Sequence, residues 1–205
     1  MNDKYIDKKE LIKKAAIKCF ALYGYGKTTL KDIAGAVGIK KNSLYYYYES
    51  KEQLFFETME DEGKDILNQI NSAIKSRKSS KAKVQTFLKV FCNTTRNKSK
   101  MYSIKANAFL EFGIVMEKAD KGFVTKLHEM ITEILQEGIR KKEFIKHDCK
   151  EFSHILIDNI YLLEYMMMFR LEINLLNEIN QNVEREMEES RTKTISYLLN
   201  GIAKK

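Results

Sequence analysis

Apolar residues return at every third or fourth position along most of the 205 residues, and polar residues fill the positions between them. This spacing places the apolar side chains on one face of an α-helix. The alternating pattern and turn residues that are typical of strands are scarce, and the chain has no proline and only 9 glycines. The sequence therefore predicts an all-α protein.

The periodic segments divide the chain into about nine helices. The predicted helices span 6–23, 30–37, 40–47, 51–75, 82–97, 100–113, 121–141, 149–175 and 183–202, with a polar loop near 76–83. We place a domain boundary at residue 50, where the first three helices end. Residues 1–50 are then one small helical domain, and residues 51–205 form a larger one.

Capping residues mark several of these boundaries. Thr29 precedes the second helix and Asp32 follows three residues later, which is the spacing of a capping box. Gly38 suits the turn after that helix because glycine accepts a positive φ. The same capping logic applies to Ser50 with Gln53 and to Asp148 with Glu151.

Residues 29–48 meet the physical demands of a helix-turn-helix. The first helix has an inner apolar face, and Gly38 permits the turn. On the second helix, Leu44 and Tyr48 are four residues apart and share one face. The residues that point elsewhere are Lys41, Asn42, Tyr45 and Tyr46. The four successive tyrosines cannot all be core, because each position turns by about 100°. The alternative is a helical hairpin with a tyrosine-rich packing surface.

These outward residue types suit the DNA major groove. Lysine can donate to guanine O6 and N7, asparagine can pair with adenine, and serine can donate or accept. The chain has a net charge of +8. Residues 1–52 hold 11 Lys or Arg and 6 acids, so +5 of this charge lies beside the helix-turn-helix. Such charge favours binding to phosphates, although a solvated lysine-rich surface is the alternative.

Residues 9–55 resemble the DNA-binding region of the TetR (tetracycline repressor-like) family of bacterial regulators. The motifs that carry the resemblance are Ala15-Ala16 with Phe20, Gly24-Tyr25, Thr28-Thr29, Asp32-Ile33-Ala34, Gly38-Ile39, Leu44 through Tyr48, and Lys51-Glu52-Gln53-Leu54. The resemblance implies a C-terminal helical domain that binds an effector and dimerises. It also implies that the last two helices form the homodimer interface.

The resemblance also assigns DNA contacts by position. It implies phosphate contacts from Thr29, Tyr45 and Lys51. It implies base contacts from Lys40, Lys41, Asn42, Ser43 and Tyr47, beside which Tyr46 completes the outer face. Two residues depart from the family pattern. Lys40 stands where a capping serine is usual, and Tyr48 replaces a phenylalanine, so its hydroxyl needs a partner or solvent.

Methionine and aromatic residues in the C-terminal part are suited to line a pocket for a hydrophobic effector. The candidates are Met101, Phe109, Phe112, Met116, Met130 and Met167. The alternative for each of them is ordinary helical core, and the resemblance selects no individual residue.

Signals for other functions are weak. Gly26-Lys27-Thr28 resembles the end of a phosphate-binding loop, but Ala21 stands where that motif needs glycine, and the preceding segment is helical. His147, Cys149, Glu151 and His154 match no common zinc spacing. We therefore expect no catalytic site, no metal and no cofactor. Three widely spaced cysteines suggest no disulfide framework. Without a signal peptide or an apolar span, the sequence predicts a cytoplasmic protein.

The expected function is a homodimeric, ligand-responsive transcriptional repressor that binds a palindromic operator and is released by a small hydrophobic effector. A helical enzyme or carrier is one rival, and it requires a catalytic constellation in residues 60–205. An adaptor that binds a protein through its basic helices is the other. Salt-dependent, sequence-selective binding to duplex DNA distinguishes the regulator from both.

Overall fold

The computed structural model describes residues 7–118, 122–177 and 182–204, and it places nine α-helices within these ranges. They are α1 (Lys8–Lys27), α2 (Leu30–Val37), α3 (Lys41–Tyr45), α4 (Lys51–Ile74), α5 (Ser80–Tyr102), α6 (Ala106–Lys118), α7 (Phe123–Arg140), α8 (Cys149–Asn177) and α9 (Val183–Ile202). In these ranges the extended backbone is limited to one isolated bridge between Phe144 and Ala203. The all-α prediction is confirmed.

Helices α5 and α6 depart most from their predicted bounds, since the helix predicted over 100–113 lies instead at Ala106–Lys118. Helix α5 is longer than predicted. It begins at Ser80, inside the predicted polar loop, because the Ser79 side chain accepts a hydrogen bond from the Ala82 amide and caps it. It then continues past residue 97 to Tyr102. The predicted break there is wrong because polar side chains on this part of α5 face other helices. Lys98 Nζ pairs with Glu62 and Asp65 of α4, and the Tyr102 hydroxyl donates to Glu62 Oε1 at 2.8 Å.

The N-terminal core packs α1, α2 and α3 against the first half of α4 and against α6. Its buried residues include Ile33 and Leu44, together with Phe55 of α4 and Phe112 of α6. The boundary predicted at residue 50 falls between α3 and α4, yet the apolar core continues across it. The first three helices therefore bury their inner faces against elements of the larger domain.

The C-terminal core is formed by α4, α5, α7, α8 and α9. Beside it lies a buried ion cluster in which Glu164 of α8 is 4% exposed. Its Oε1 lies 2.5 Å from a guanidinium nitrogen of Arg191 on α9 and 3.5 Å from one of Arg96 on α5. Because a buried charge is costly without a partner, this cluster specifies how three helices meet.

Tyr48 is the largest fully buried side chain, at 1% exposure. Its ring packs in the N-terminal core, as the sequence predicts. The hydroxyl, however, has no hydrogen-bond partner among the described residues, so the expected partner or solvent contact is not met. Burial raises the pKa of Tyr48 to about 12. A buried hydroxyl without a partner lowers the stability of the folded state.

We predict that Tyr48→Phe stabilises the protein, because it removes this hydroxyl and keeps the ring. The free energy of unfolding should rise by about 1 kcal/mol, measured by denaturant titration. Tyr46→Phe is the matched control, since Tyr46 is 86% exposed and its hydroxyl is open to water. A loss of stability in Tyr48→Phe would show that its hydroxyl is bonded.

Candidate nucleic-acid interface

Helix α2 is held at both ends by local sequence signals. The Thr29 amide donates to Asp32 Oδ2 at 2.9 Å, and the Asp32 amide donates to Thr29 Oγ1 at 3.2 Å. The Thr29 hydroxyl and the Thr29 amide both donate to the Asp32 carboxylate and thereby lower the pKa of Asp32. Gly38 adopts a left-handed φ of 72° and ends the helix. The predicted capping box and glycine turn are confirmed, and they fix the angle at which α3 leaves α2.

Helix α3 buries one face and exposes the other. Leu44 and Tyr48 lie inside the N-terminal core. The outer face is exposed and consists of Lys40, Lys41, Asn42, Ser43, Tyr45 and Tyr46; we call these residues the α3 outer face. Tyr47 is half-buried, packs against the core, and meets the Tyr46 ring edge-on at 5.2 Å between centroids. Of the predicted base-contacting residues, Tyr47 is therefore the least accessible.

Helix α3 is shorter than the predicted 40–47. It ends at Tyr45, and the Tyr47 amide then bonds to the Leu44 carbonyl only three residues back, at 2.9 Å. At its start, Lys40 makes no side-chain capping bond. Lys40, which differs from the serine usual at this position in the family pattern, therefore provides no side-chain N-cap. The helix that follows is about one turn long and begins with Lys41 and Asn42.

Most charged residues in this region are positive. Between residues 27 and 48 the sequence holds Lys27, Lys31, Lys40 and Lys41, and its one acid is Asp32. The Asp32 carboxylate is already bonded to Thr29 in the capping box. The Lys41 ammonium lies 5.5 Å from the centre of the Tyr45 ring, which holds it over the α3 outer face. This surface can therefore bind a polyanion without displacing an acidic partner.

Two of the predicted phosphate contacts already have partners inside the protein. The Thr29 hydroxyl donates to Asp32 Oδ2 at 2.6 Å. Lys51 Nζ donates to the carbonyl oxygen of Tyr25 at 2.7 Å and lies 4.4 Å from the Tyr25 ring centre. Both residues lie at the edge of the helix-turn-helix, but their polar atoms stabilise its frame. A phosphate contact from either of them stays a prediction.

The segment that Lys51 holds is also bound from α6. Gly24 has a φ of 79°, and the amides of Tyr25 and Gly26 donate to the two carboxylate oxygens of Glu111 at 3.0 and 2.7 Å. This φ favours glycine, and a Cβ at Gly24 would also lie 2.5 Å from Glu111 Oε2, so that the carboxylate would have to shift. We call Gly24, Tyr25, Gly26, Lys51 and Glu111 the α1–α6 joint. The sequence predicted the turn but not Glu111, because its partner lies 85 residues away.

A cavity of about 140 Å³ lies between α1, α4, α5, α6, α7 and α8. Of the six predicted pocket residues, Phe109, Phe112 and Met116 of α6 line it. The other three do not. Met101 is 63% exposed, Met130 packs against the C-terminal core, and Met167 is buried in a small cluster with Met187. Residue type and periodicity predicted apolar surroundings, but they do not specify which neighbour a side chain faces.

A wider groove of about 570 Å³ adjoins this cavity along α7 and α8. His128 and His154 stack at its edge, with ring centroids 4.0 Å apart. Burial and the neighbouring His154 lower the pKa of His128. In the part of the chain that the structure describes, no three His, Cys, Asp or Glu side chains are placed to hold a metal ion. None of the described helices combines the length and apolarity that crossing a membrane requires.

We predict that Lys51→Ala destabilises the protein by about 1 to 2 kcal/mol, because the carbonyl groups at the end of α1 lose a charged donor and the Tyr25 ring loses a cation. Thermal and denaturant unfolding measure the change. Lys64→Ala in the same helix is the control, since Lys64 forms only exposed ion pairs with Glu60 and Asp61. Equal stability of the two variants would contradict a structural role for Lys51.

Comparison with known proteins shows what this region is similar to. Residues 12–58 match the sequence profile of the bacterial regulatory proteins of the tetR family. The biofilm operon icaADBC HTH-type negative transcriptional regulator IcaR of Staphylococcus epidermidis is 44% identical over 61 residues, which cover 30% of this chain and 29% of that protein. IcaR of Staphylococcus aureus (strain Newman) is 47% identical over 55 residues, or 27% of this chain and 26% of IcaR. The matches thus span less than a third of these curated relatives.

Solved structures extend the likeness to the whole fold. A transcriptional regulator from Cytophaga hutchinsonii has a TM-score of 0.63 and 28% identity, covering 95% of this chain and 98% of that one. The fatty acid degradation regulator FadR from Bacillus halodurans has a TM-score of 0.70 over 94% of each chain at 15% identity, which shows a shared fold. The helix-turn-helix lies within the residues that match the profile, and the solved structures share the arrangement of the helices. This chain is therefore similar to the bacterial regulatory proteins of the tetR family over residues 12–58, and it shares its fold with a solved transcriptional regulator over 95% of its length.

Proposed function

We propose that this protein is a sequence-selective transcriptional repressor that binds double-stranded operator DNA through the α3 outer face. The observation that carries the proposal is the arrangement of this helix. Leu44 and Tyr48 fix it to the core, while its lysine, asparagine and tyrosine side chains point to solvent. A recognition helix places its N-terminal residues nearest to the base edges in the major groove.

Individual roles follow from this placement. Lys41 and Asn42 stand in the first turn of α3 and would contact base edges, where lysine suits guanine and asparagine suits adenine. Lys40, just before the helix, would contact either a base edge or a phosphate. Tyr45 and Tyr46 lie farther along and would contact the sugar-phosphate backbone. Repression as the sign of regulation is supported by the IcaR relatives, which are named negative regulators and match this chain in its N-terminal part.

A homodimer is supported by an apolar stripe on α8 that the monomer leaves exposed. It comprises Ile155, Leu162, Met166, Phe169 and Ile173. Their spacings of 7, 4, 3 and 4 residues, taken from these numbers, keep them on one side of the helix. The opposite side of α8 is buried in the C-terminal core through Leu156 and Ile160. A second copy would bury this stripe, and α9 also exposes Tyr197.

Dimerisation also gives the DNA contact its specificity. One short recognition helix reaches only a few base pairs, whereas two copies related by a two-fold axis bind a palindrome with half-sites about 34–36 Å apart or a multiple of that. In this proposal residues 1–50 bind DNA. Residues 51–205 hold the effector and form the dimer through α8 and α9.

The α1–α6 joint provides a route from effector to DNA. Glu111 lies on α6 between Phe109 and Phe112, which both line the cavity. An occupant that shifts α6 would move the Glu111 carboxylate away from the Tyr25 and Gly26 amides, or press it against Gly24. Either change alters how the helix-turn-helix is held. A small hydrophobic effector would thereby favour a state that does not fit the operator.

Selection from a random duplex library tests the proposal. We expect an inverted repeat to be enriched, and Lys41→Ala should bind the selected duplex more weakly. The slope of log K against log salt should fall by about one unit if Lys41 contacts a phosphate, and specificity at one position should relax if it contacts a base. Both effects follow from removing one cation at the groove.

Lys146→Ala is the control for charge, because Lys146 is exposed and lies outside the helix-turn-helix. It removes the same charge and should leave the DNA affinity nearly unchanged. Recovery of no preferred sequence, or equal losses in the two variants, would contradict DNA binding by the α3 outer face.

We predict that Met166→Glu converts the dimer into a monomer, because it places a charge in the centre of the α8 stripe. Light scattering after gel filtration measures the mass. Met101→Glu is the matched control, since Met101 is exposed on α5 away from the stripe. A wild-type protein that is monomeric at micromolar concentration, or a Met166→Glu variant that remains dimeric, would contradict this interface.

A further inference from the structure

A strongly basic surface lies at the end of α4 that is far from the helix-turn-helix. Helix α4 begins with Lys51 at the α1–α6 joint and ends at Ile74, and its 24 residues are about 36 Å long. Residues 75–83, which follow it, hold five Lys or Arg and no acid. Residues 140–150 hold five Lys or Arg and two acids. Both segments therefore carry a large excess of positive charge.

Contacts within the protein bring these two segments together. The Lys141 ammonium donates to the Lys78 carbonyl at 3.4 Å, and Lys75 and Arg140 line the same groove. The Glu143 carboxylate accepts hydrogen bonds from the first two amides of α5, at 2.7 and 3.3 Å. The two segments thus form one surface, and one of its two acids is occupied in holding it together.

Most other acids near this surface also bond to groups of the protein. Glu137 Oε2 lies 2.7 Å from Lys83 Nζ, and Glu137 Oε1 lies 2.6 Å from Lys141 Nζ. Asp148 accepts hydrogen bonds from two amides in the first turn of α8. Glu133 lines the groove one turn of α7 farther from the end. Little negative charge is left to balance the remaining cations.

Five cations of this surface form no ion pair with any of the described residues. All five are exposed, and we call them the distal basic surface: Lys75, Arg77, Lys78, Arg140 and Lys142. Large apolar side chains are scarce around it. Ile145 is the only one that is exposed within residues 74–83 and 139–150, which the structure describes in full.

This chemistry favours a partner with closely spaced phosphates. Protein interfaces have apolar and aromatic anchors and are depleted in lysine, which is the reverse of what is found here. Binding to a membrane surface depends on apolar side chains that enter the headgroup region, and a single isoleucine provides little such area. Double-stranded DNA needs only cations, because each neutralised phosphate releases condensed counterions.

We propose that the distal basic surface binds the phosphate backbone of a second DNA duplex, without sequence preference, while the α3 outer face holds the operator. The inference rests on the proposed function for the first duplex and goes beyond it, since the protein would bring two DNA segments together. In the proposed dimer the surface is present twice, and two linked contacts reinforce each other.

Capture of a second duplex by the full-length protein tests the proposal. The selected operator duplex is immobilised, the protein is bound to it, and a labelled duplex of scrambled sequence is added. We expect protein-dependent capture of the labelled duplex that weakens steeply as the salt concentration rises, because counterions are released at each phosphate contact. Absence of capture at about 50 mM salt, where such contacts are strong, would overturn the proposal.

A triple variant removes charge from the distal basic surface. Lys75→Gln, Lys78→Gln and Lys142→Gln together should weaken the capture about tenfold and lower the salt slope by about three units, one for each lost phosphate contact. The affinity for the operator duplex should be unchanged, because the α3 outer face is intact.

The matched control removes three exposed lysines from other parts of the protein, with Lys89→Gln, Lys105→Gln and Lys126→Gln. It lowers the net charge equally and should retain the capture. Equal losses in the two triple variants would show a general effect of charge and overturn the assignment to this surface.

Binding of the scrambled duplex to the free protein separates this proposal from failure of operator binding. Fluorescence anisotropy should show a larger loss in the triple variant of the distal basic surface than in Lys41→Ala, whether or not the α3 outer face selects an operator. Phosphatidylglycerol vesicles and polyglutamate are the alternative probes. Binding of either one without binding of the duplex would assign the surface to a membrane or to an acidic protein, and would overturn the proposal.

Discussion

The carboxylate of Glu111 accepts two backbone hydrogen bonds, and the orientation of the whole N-terminal unit depends on them. The amides of Tyr25 and Gly26 directly follow Gly24, whose φ and ψ depart from helical values, and they donate to the two carboxylate oxygens of Glu111. Lys51 binds the carbonyl groups of the same two residues from α4. A segment of two residues is thus held by opposite charges from two helices of the larger domain.

In the proposed function, this arrangement allows one chain to combine DNA binding with effector binding. Helix α6 carries Glu111 on one side and lines the cavity with Phe109 and Phe112 on another. Its first turn is bound to α8, where Glu172 accepts a hydrogen bond from the Ala106 amide at 2.6 Å. Helix α6 therefore contacts the end of α1 that leads into the helix-turn-helix, the cavity proposed to hold the effector, and the helix proposed to form the dimer. A small displacement of α6 is felt at all three places, because packed interiors transmit shifts instead of absorbing them.

The sequence was sufficient wherever a feature is determined by neighbours along the chain. The Thr29–Asp32 capping box, the Gly38 turn, the caps at Ser50 and Asp148, and the burial of Leu44 and Tyr48 depend on residues within four positions. Features that depend on distant residues were not predictable. Glu111 looks like a surface acid in an apolar helix, and the spacing of Met101, Met130 and Met167 does not show that they face solvent or other cores. The sequence places the C-terminal end of α5 too near its start, because paired polar side chains contact the neighbouring helices there and the apolar pattern is interrupted.

The central claim is that the α3 outer face binds DNA while the α1–α6 joint holds it in position. Amide hydrogen exchange of the protein, free and bound to the selected duplex, tests this most directly. The account predicts slower exchange in residues 40–47 and at the Tyr25 and Gly26 amides with the selected duplex, and little change with a scrambled duplex of equal length. Protection confined to other surfaces, or equal protection by both duplexes, would contradict it.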